Sequence, residues 1–366
     1  MQMGRGVVEL YEGDKSNYEL KELRENIDNI NFQILELLNK RACMIKEIAE
    51  YKDSNGIEYF DSSRESEMLK RIFEKNEGPL FNELIKEVFS KIFSVSLKFM
   101  GITRERKLLI SDKSKDVFNI LDFFNISAGT PLVIAGPCSV ESTEQMEEVA
   151  TALKSNKVSV LRGGTFKPRT SPYEFQGLKE DGLKILSSIG KKYCLKTVTE
   201  VVDTRDVEIV ARYADVLQIG ARNMHNFELL KEVGRTQKPV ILKRGISATM
   251  HEFMLAAEYI VLQGNSNVIL CERGIRTYET KTRNTLDISA IPIIKKETNL
   301  PIIVDLSHSL GRKDIVNSMA KAVIASGADG IMVEVHPQPE LALSDSKQQL
   351  NIKEFEDMLN DIGYSK

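Results

Sequence analysis

The sequence predicts an α/β protein, a TIM-type (β/α)8 barrel preceded by an all-α segment of three helices. Three observations carry that prediction. The first hundred residues show apolar side chains at three- and four-residue intervals, the mark of amphipathic helices. After Thr130 the texture changes to short apolar runs alternating with amphipathic stretches. Eight such units in roughly 230 residues fit a closed barrel better than an open doubly wound sheet, the alternative kept in view.

Residues 1–15 read as a disordered lead-in. From about Ser16 to Lys52, Leu20, Leu23, Ile27, Ile30, Ile34, Leu37, Leu38, Ile45 and Ile48 form one helical stripe, with Ser16 and Glu19 as a capping box. At 1.5 Å per residue such a helix is about 55 Å long, more than a small domain spans, so its stripe calls for a second copy of the chain. Asn55-Gly56 breaks it. A second helix is expected over about 61–75, ended by Gly78-Pro79, and a third over 81–100. The helical segment is placed at 16–102, a linker with a short hairpin or cap at 103–130, and the barrel at 131–366.

The strands are expected at Pro131–Ala135, Val158–Leu161, Cys194–Thr199, Asp215–Ile219, Pro239–Lys243, Asn267–Cys271, Pro301–Asp305 and Gly330–Val335. Their near-continuous apolar character indicates parallel strands buried on both faces.

The totals narrow the function. A formal charge of −3 argues against a nucleic-acid or anionic-membrane binder. No apolar run reaches the ~20 residues needed to span a bilayer, and the N-terminus lacks a signal-peptide pattern. Cys43, Cys138, Cys194 and Cys271 are too widely spaced for a disulfide framework, which suits a reducing cytoplasm. Cys43, Cys194 and Cys271 are expected as packing residues.

In a barrel, chemistry gathers at the C-terminal strand ends. The second strand runs into Arg162-Gly163-Gly164-Thr165-Phe166-Lys167-Pro168-Arg169-Thr170-Ser171-Pro172, a rigid loop with three cations that suit phosphate and carboxylate oxygens. The first strand brings Cys138; the others bring Glu200, Arg222, Lys243, Glu272 with Arg273, Asp305 with His308, and Glu334. Arg162, Lys167, Arg169, Arg222, Lys243 and Arg273 exceed what one monoanion requires and suit substrates with two phosphates and a carboxylate. Cys138, His308, Glu334 and Asp345 offer S, N and O donors, a set that accepts Mn, Fe, Co or Zn divalents. A plainer reading leaves Cys138 as a small packed residue and Glu334 paired with a rim lysine.

Gly136-Pro137-Cys138-Ser139, the Arg162–Pro172 loop, Gly220-Ala221-Arg222-Asn223, Leu242-Lys243-Arg244-Gly245, Cys271-Glu272-Arg273-Gly274 and Asp305-Leu306-Ser307-His308-Ser309 together resemble the 3-deoxy-D-arabino-heptulosonate 7-phosphate (DAHP) synthases. The resemblance covers about residues 131–360. It implies condensation of phosphoenolpyruvate with erythrose 4-phosphate, the entry step of the shikimate pathway. Relatives that use arabinose 5-phosphate typically carry Lys-Ala-Asn-Arg-Ser where this chain has Lys167-Pro168-Arg169-Thr170-Ser171, so the shorter sugar is expected. By that resemblance, Cys138, His308, Glu334 and Asp345 hold the metal. Arg162, Lys167, Arg222, Lys243, Arg273 and His308 meet phosphoenolpyruvate or phosphate, and Arg169, Thr170 and Arg273 the sugar phosphate. Lys167 and Glu200 are the candidates for positioning the water that hydrates C2, and with His308 they form the expected catalytic set.

The N-terminal helices resemble the all-α chorismate mutases over about residues 16–102, through Leu23-Arg24-Glu25, Ile34-Leu35-Glu36-Leu37-Leu38, Arg41, Lys52 and Asp61-Ser62-Ser63-Arg64-Glu65. Arg41 and Lys52 lie about three turns apart and share a helix face, whereas Arg24 is about 100° off it. The resemblance implies that Arg24, Arg41, Lys52, Asp61 and Arg64 bind chorismate or prephenate, with Arg24 reaching the site of a partner chain in a homodimer or homotetramer. Where the family presents a glutamine or glutamate to the ether oxygen, this chain has Met100, which cannot donate a hydrogen bond. Weak mutase activity, or a purely regulatory sensor that inhibits the barrel, is therefore expected. Two rivals stay open: a Schiff-base aldolase built on Lys243, and a metabolite-binding regulator without turnover.

Overall fold

The computed structural model describes residues 6–57, 62–103, 108–112, 118–168, 171 and 173–364, so Asp61, Arg169 and Thr170 lie outside the described residues. The chain divides into two units, residues 1–106 and 107–366.

The first unit is three helices, α1 (Gly6–Ser54), α2 (Ser62–Glu74) and α3 (Asn82–Thr103). Both α1 and α2 pack on α3. The lead-in expected as disordered is helical from Gly6 onward. The reason is cooperativity: once a long helix is nucleated, each added residue gains a hydrogen bond at little cost, and no proline intervenes. The stripe on α1 stays half-open to solvent within one chain, with Leu23 60% and Ile27 58% exposed.

In the second unit the expected hairpin is absent among the described residues. A 3-10 turn (Leu109–Ser111) and a short helix α4 (Ile120–Phe124) take its place. Asn119 starts α4 by accepting from the amides of Leu121 and Asp122 at 3.1 and 3.2 Å. Phe124 is fully buried and packs with Ile120 against Leu132, Ile134, Val160 and Val198. The expected cap is thus a helix whose aromatic side chain packs against the barrel's own interior.

The barrel itself runs β1 (Leu132–Gly136), α5 (Thr143–Ser155), β2 (Val160–Arg162), α6 (Lys179–Tyr193), β3 (Lys196–Glu200), α7 (Val207–Tyr213), β4 (Val216–Ile219), α8 (Phe227–Arg235) and β5 (Val240–Lys243). It continues with α9 (Met250–Val261), β6 (Val268–Glu272), α10 (Ala290–Glu297), β7 (Ile302–Asp305), α11 (Leu306–Leu310), α12 (Val316–Ala325), β8 (Gly330–Glu334) and α13 (Ile352–Asp361). Every strand pairs in parallel with its neighbours, and β1 also pairs with β8, from Leu132↔Gly330 to Gly136↔Glu334. That pairing closes the sheet and removes the open doubly wound alternative.

The two-residue period of a strand decides which side chains fill the interior. Ile134, Val160, Val198, Val216, Ile241, Ile269, Ile303 and Met332 make one buried apolar cluster with α4. Two residues further along the same face stand Gly136, Arg162, Glu200, Gln218, Lys243, Cys271, Asp305 and Glu334. The interior therefore changes from apolar to ionisable within one layer at the C-terminal end. The other face of the strands, such as Leu161, Leu217, Leu242 and Val304, packs on the helices in the main core.

Among the cysteines, Cys271 is buried as expected, but Cys43 and Cys194 are exposed. Cys194 is not in a strand. It ends α6 in a left-handed conformation at φ 53°, and β3 begins two residues later. Among the described residues no helix is long and apolar enough to cross a membrane.

Candidate active site

The C-terminal ends of the strands surround a cleft of about 390 Å³ lined by Lys167, Glu200, Arg222, Lys243, Arg273 and His308, among others. Two glycines shape this end of the barrel. Gly136 sits at φ +146°, and a Cβ there would lie 2.1 Å from the carbonyl oxygen of Arg162. A Cβ on Gly220 would lie 2.0 Å from Glu200 Oε1, so that glycine is the space the Glu200 carboxylate occupies.

One wall gathers four donors. Cys138, His308, Glu334 and Asp345 each present a ligand atom, all within 4.8 Å of one another. His308 Nε2 is 3.6 Å from Glu334 Oε1 and 3.7 Å from Asp345 Oδ2, and Cys138 Sγ is 3.4 Å from Asp345 Oδ2. The local fold explains how they meet. Asp305 caps α11 by accepting from the His308 amide at 3.0 Å, and this turn swings the imidazole back over the barrel. Glu334 ends β8, its amide held by Ser307 Oγ at 2.8 Å. The loop after β8 closes on itself where Leu350 N donates to Glu334 O at 2.8 Å. Within that loop Asp345 adopts φ 48°, a left-handed conformation that Asp tolerates. Gln349 Oε1 accepts from the Cys138 amide at 3.0 Å, which ties β1's end to the same loop.

The orientation of the His308 ring follows from its partner. Asp305 Oδ2 lies 2.9 Å from Nδ1. Burial works to raise the Asp305 carboxyl, but His308 and Lys243 outweigh it and hold it well below the usual carboxylate range. An ionised carboxylate only accepts, so Nδ1 donates to Asp305 and Nε2 is the ring atom presented to Glu334 and Asp345. Burial likewise works to raise Glu334, yet His308, Arg162 and Lys167 bring it down to about 2. Burial and the nearby Glu334 charge push the Cys138 thiol up to about 12. A thiolate there needs more positive charge than Lys167 supplies from 3.1 Å, and a divalent cation would supply it. Mixed S, N and O donors at this spacing fit such an ion.

The cations divide into two sets. Arg162 donates to Glu334 at 2.8 Å, Lys243 is paired with Asp305, and Arg244 donates to Glu272 and Asp287 at 2.9 and 3.0 Å. Arg273, only 6% exposed, keeps Nη1 buried with no hydrogen-bond partner, and burial lowers its pKa. Arg222 donates to the Pro168 carbonyl at 3.3 Å. Both guanidiniums face the cleft with no carboxylate paired to them among the described residues, which is what a site built for an anion shows.

The expected residues Cys138, Arg162, Lys167, Glu200, Arg222, Lys243, Arg273, His308, Glu334 and Asp345 thus converge on one rim. Sequence reasoning missed Arg276, Arg283, Asn284 and Gln348. Arg276, Arg283 and Asn284 line the cleft, and Gln348 donates to Glu334 Oε2 at 2.6 Å. The signal was the loop after Arg273, which holds four cationic or amide side chains, Arg276, Lys281, Arg283 and Asn284, in eleven residues.

In the helical unit Arg41 Nη1 donates to Ser96 Oγ, with the guanidinium carbon 5.7 Å from the Phe93 ring. Ser96 and Met100 are buried one turn apart on α3. Arg24 and Arg64 are exposed, Arg64 beside Glu67 at 3.3 Å, and Lys52 is half-buried.

The DAHP synthetase I family model matches residues 112–363, and the chorismate mutase type II model matches residues 23–100. A phospho-2-dehydro-3-deoxyheptonate aldolase of Thermotoga maritima is 52% identical over 256 residues, 69% of this chain and 76% of that protein. A 2-dehydro-3-deoxyphosphooctonate aldolase of Nitrobacter hamburgensis is 32% identical over 244 residues, 61% of this chain and 84% of that protein. The crystal structure of the Thermotoga aldolase superposes with a TM-score of 0.68 at 51% identity, over 71% of this chain and 77% of that one. A truncated DAHP synthase from the same organism gives 0.65 at 49% identity, over 70% and 95%. The chain belongs to the DAHP synthetase I family: it is a DAHP synthase, acting at the first step of the shikimate pathway, with a chorismate mutase type II region on its N-terminal side.

Proposed function

We propose that the barrel joins C3 of phosphoenolpyruvate to the aldehyde carbon of erythrose 4-phosphate, with water entering at C2 and inorganic phosphate leaving. The observation that carries this reading is the side-by-side placement of a four-donor cluster and carboxylate-free guanidiniums on one cleft. Arg222 and Arg273 take phosphate oxygens, and Arg162 and Lys243 hold the carboxylate end while remaining balanced by Glu334 and Asp305. These clamps offset the repulsion between two polyanions and bring the reacting carbons together. Arg169 and Thr170 are assigned to the sugar phosphate on the loop motif alone.

Cys138, His308, Glu334 and Asp345 would hold a divalent cation such as Mn, Fe, Zn or Co, which when bound supplies Lewis acidity toward the aldehyde oxygen. Lys167 lies beside that cluster, its Nζ 2.9 Å from the Cys138 carbonyl, and can hand a proton to the oxygen that develops there. Glu200, steadied by Gln218 Nε2 at 3.4 Å, stands where a water at C2 can be oriented. The test is loss of the phosphoenolpyruvate enol absorbance with each sugar phosphate, with and without EDTA. A Schiff-base route through Lys243 predicts borohydride trapping and indifference to chelators, and the buried Lys243–Asp305 pair argues against a free amine.

The helical unit is read as a chorismate or prephenate site that feeds back on the barrel. Arg41 lies against the buried Ser96 of α3, and the open stripe of α1 supports a homodimer or homotetramer in which a partner's Arg24 completes the site. Met100 in the buried turn after Ser96 favours a sensor with weak or no mutase turnover. Barrel activity that ignores both metabolites would refute the regulatory half. Four free thiols suit a cytoplasmic setting.

A further inference from the structure

Glu334 and Asp345 are linked through the side chains of Gln348 and Arg283. Gln348 is 3% exposed. Its Nε2 donates to Glu334 Oε2 at 2.6 Å, and its Oε1 accepts from Arg283 Nη1 at 2.7 Å. The same Arg283 Nη1 donates to Asp345 Oδ1 at 3.2 Å. The amide's orientation is fixed by its neighbours, because a carboxylate only accepts and a guanidinium only donates. An amide of this length meets both needs, whereas a glutamate would lose the donor and a lysine the acceptor.

Arg283 is itself anchored. Its amide donates to Leu310 O at 2.9 Å, and the adjacent Asn284 donates from its backbone to Ser309 O and from Nδ2 to His308 O, at 2.8 and 2.9 Å. The segment between β6 and α10 is therefore joined to α11, which carries His308. Through Gln348 and Arg283 it also reaches the end of β8 and the Asp345 loop. Three of the four donors are tied to one another by this path.

We propose that Arg283 and Gln348 are positioning residues that hold Glu334 and Asp345 in the arrangement a divalent cation requires, and so set the affinity of the site. The physical need is plain. Two carboxylates brought near one point repel each other, and Asp345 sits in a sparsely populated backbone region that its surroundings must maintain. Partners behind metal ligands typically change affinity by about 10–100-fold when removed.

This inference rests on the four-donor cluster being a metal site. The test is calorimetric titration of the EDTA-stripped full chain with Mn²⁺ for the parent, Gln348→Met, Arg283→Met and the double variant. Arg283 is partly exposed, so its variant serves even where Gln348→Met does not fold. Each single change is expected to weaken Mn²⁺ by about ten-fold or more. The double change should cost less than the product of the singles, since both remove the Arg283–Gln348 link that couples the two carboxylates. Arg283→Met binding within about two-fold of the parent, or a double loss equal to the product of the singles, overturns the brace while leaving the metal site standing. A parent chain that takes up no Mn²⁺ overturns both.

Discussion

Arg162 on β2 and Glu334 on β8 meet across the side-chain-free end of β1, with Nη1 donating to Oε1 at 2.8 Å, the Arg162 side chain 5% exposed and that of Glu334 fully buried. Gly136 lets the backbones of β1 and β2 approach closely here, since a Cβ on it would lie 2.1 Å from the Arg162 carbonyl oxygen. Removing one partner of a buried pair strands the other charge and costs about 3–5 kcal/mol. Arg162→Met should therefore destabilise the metal-free protein by about 3 kcal/mol in urea unfolding. Saturating Mn²⁺ should restore part of that, because a cation takes up the Glu334 charge. A loss that Mn²⁺ does not touch would contradict the shared placement.

The same carboxylate makes the protein acid-sensitive. Glu334 is held at about 2 against an ordinary 4.5. A depressed carboxyl stabilises the fold above its ordinary value, and that contribution is lost as pH falls from about 4.5 toward 2. The magnitude is on the order of 3 kcal/mol. The urea midpoint of the EDTA-treated protein should drop steeply over this window, and Glu334→Gln should flatten the slope. An equal slope in both proteins would contradict the assignment.

Arg273 separates binding from stability. Its buried Nη1 has no hydrogen-bond partner among the described residues, so the group is a burden until an anion arrives. Arg273→Met should leave the thermal midpoint of the ligand-free chain unchanged or raised. It should also raise KM for a phosphorylated substrate by at least about ten-fold, the loss of one charged hydrogen bond. A fall in midpoint with unchanged KM would show a purely structural role.

On α3, Met100 is the point where mutase chemistry is expected to fail. Met100→Gln should raise prephenate formation by about 100-fold, the worth of one well-placed donor to a developing negative oxygen. An unchanged rate would place the deficiency elsewhere in the helical unit.

Much of this architecture is legible from residues alone, for physical reasons. Val160-Leu161-Arg162 and Val304-Asp305 announce both a buried strand and its functional end, because an ionisable group directly after an apolar run can be buried only with a partner. The four donors lie on separate elements, yet the barrel brings every strand end to one rim, so chain order suffices to group them. Gln348 and Arg283 were not legible, since an amide among loop polars carries no pattern until the loop's closure at Leu350 is seen. The helix over residues 6–15 was missed for another reason: its continuation depends on cooperativity with α1 and not on any apolar period of its own.

The most direct test is phosphoenolpyruvate consumption with Mn²⁺ or EDTA, offering erythrose 4-phosphate and arabinose 5-phosphate in parallel. Mn²⁺-dependent turnover with erythrose 4-phosphate, abolished by EDTA, is the expected result. Turnover confined to arabinose 5-phosphate, or turnover indifferent to EDTA, would contradict it.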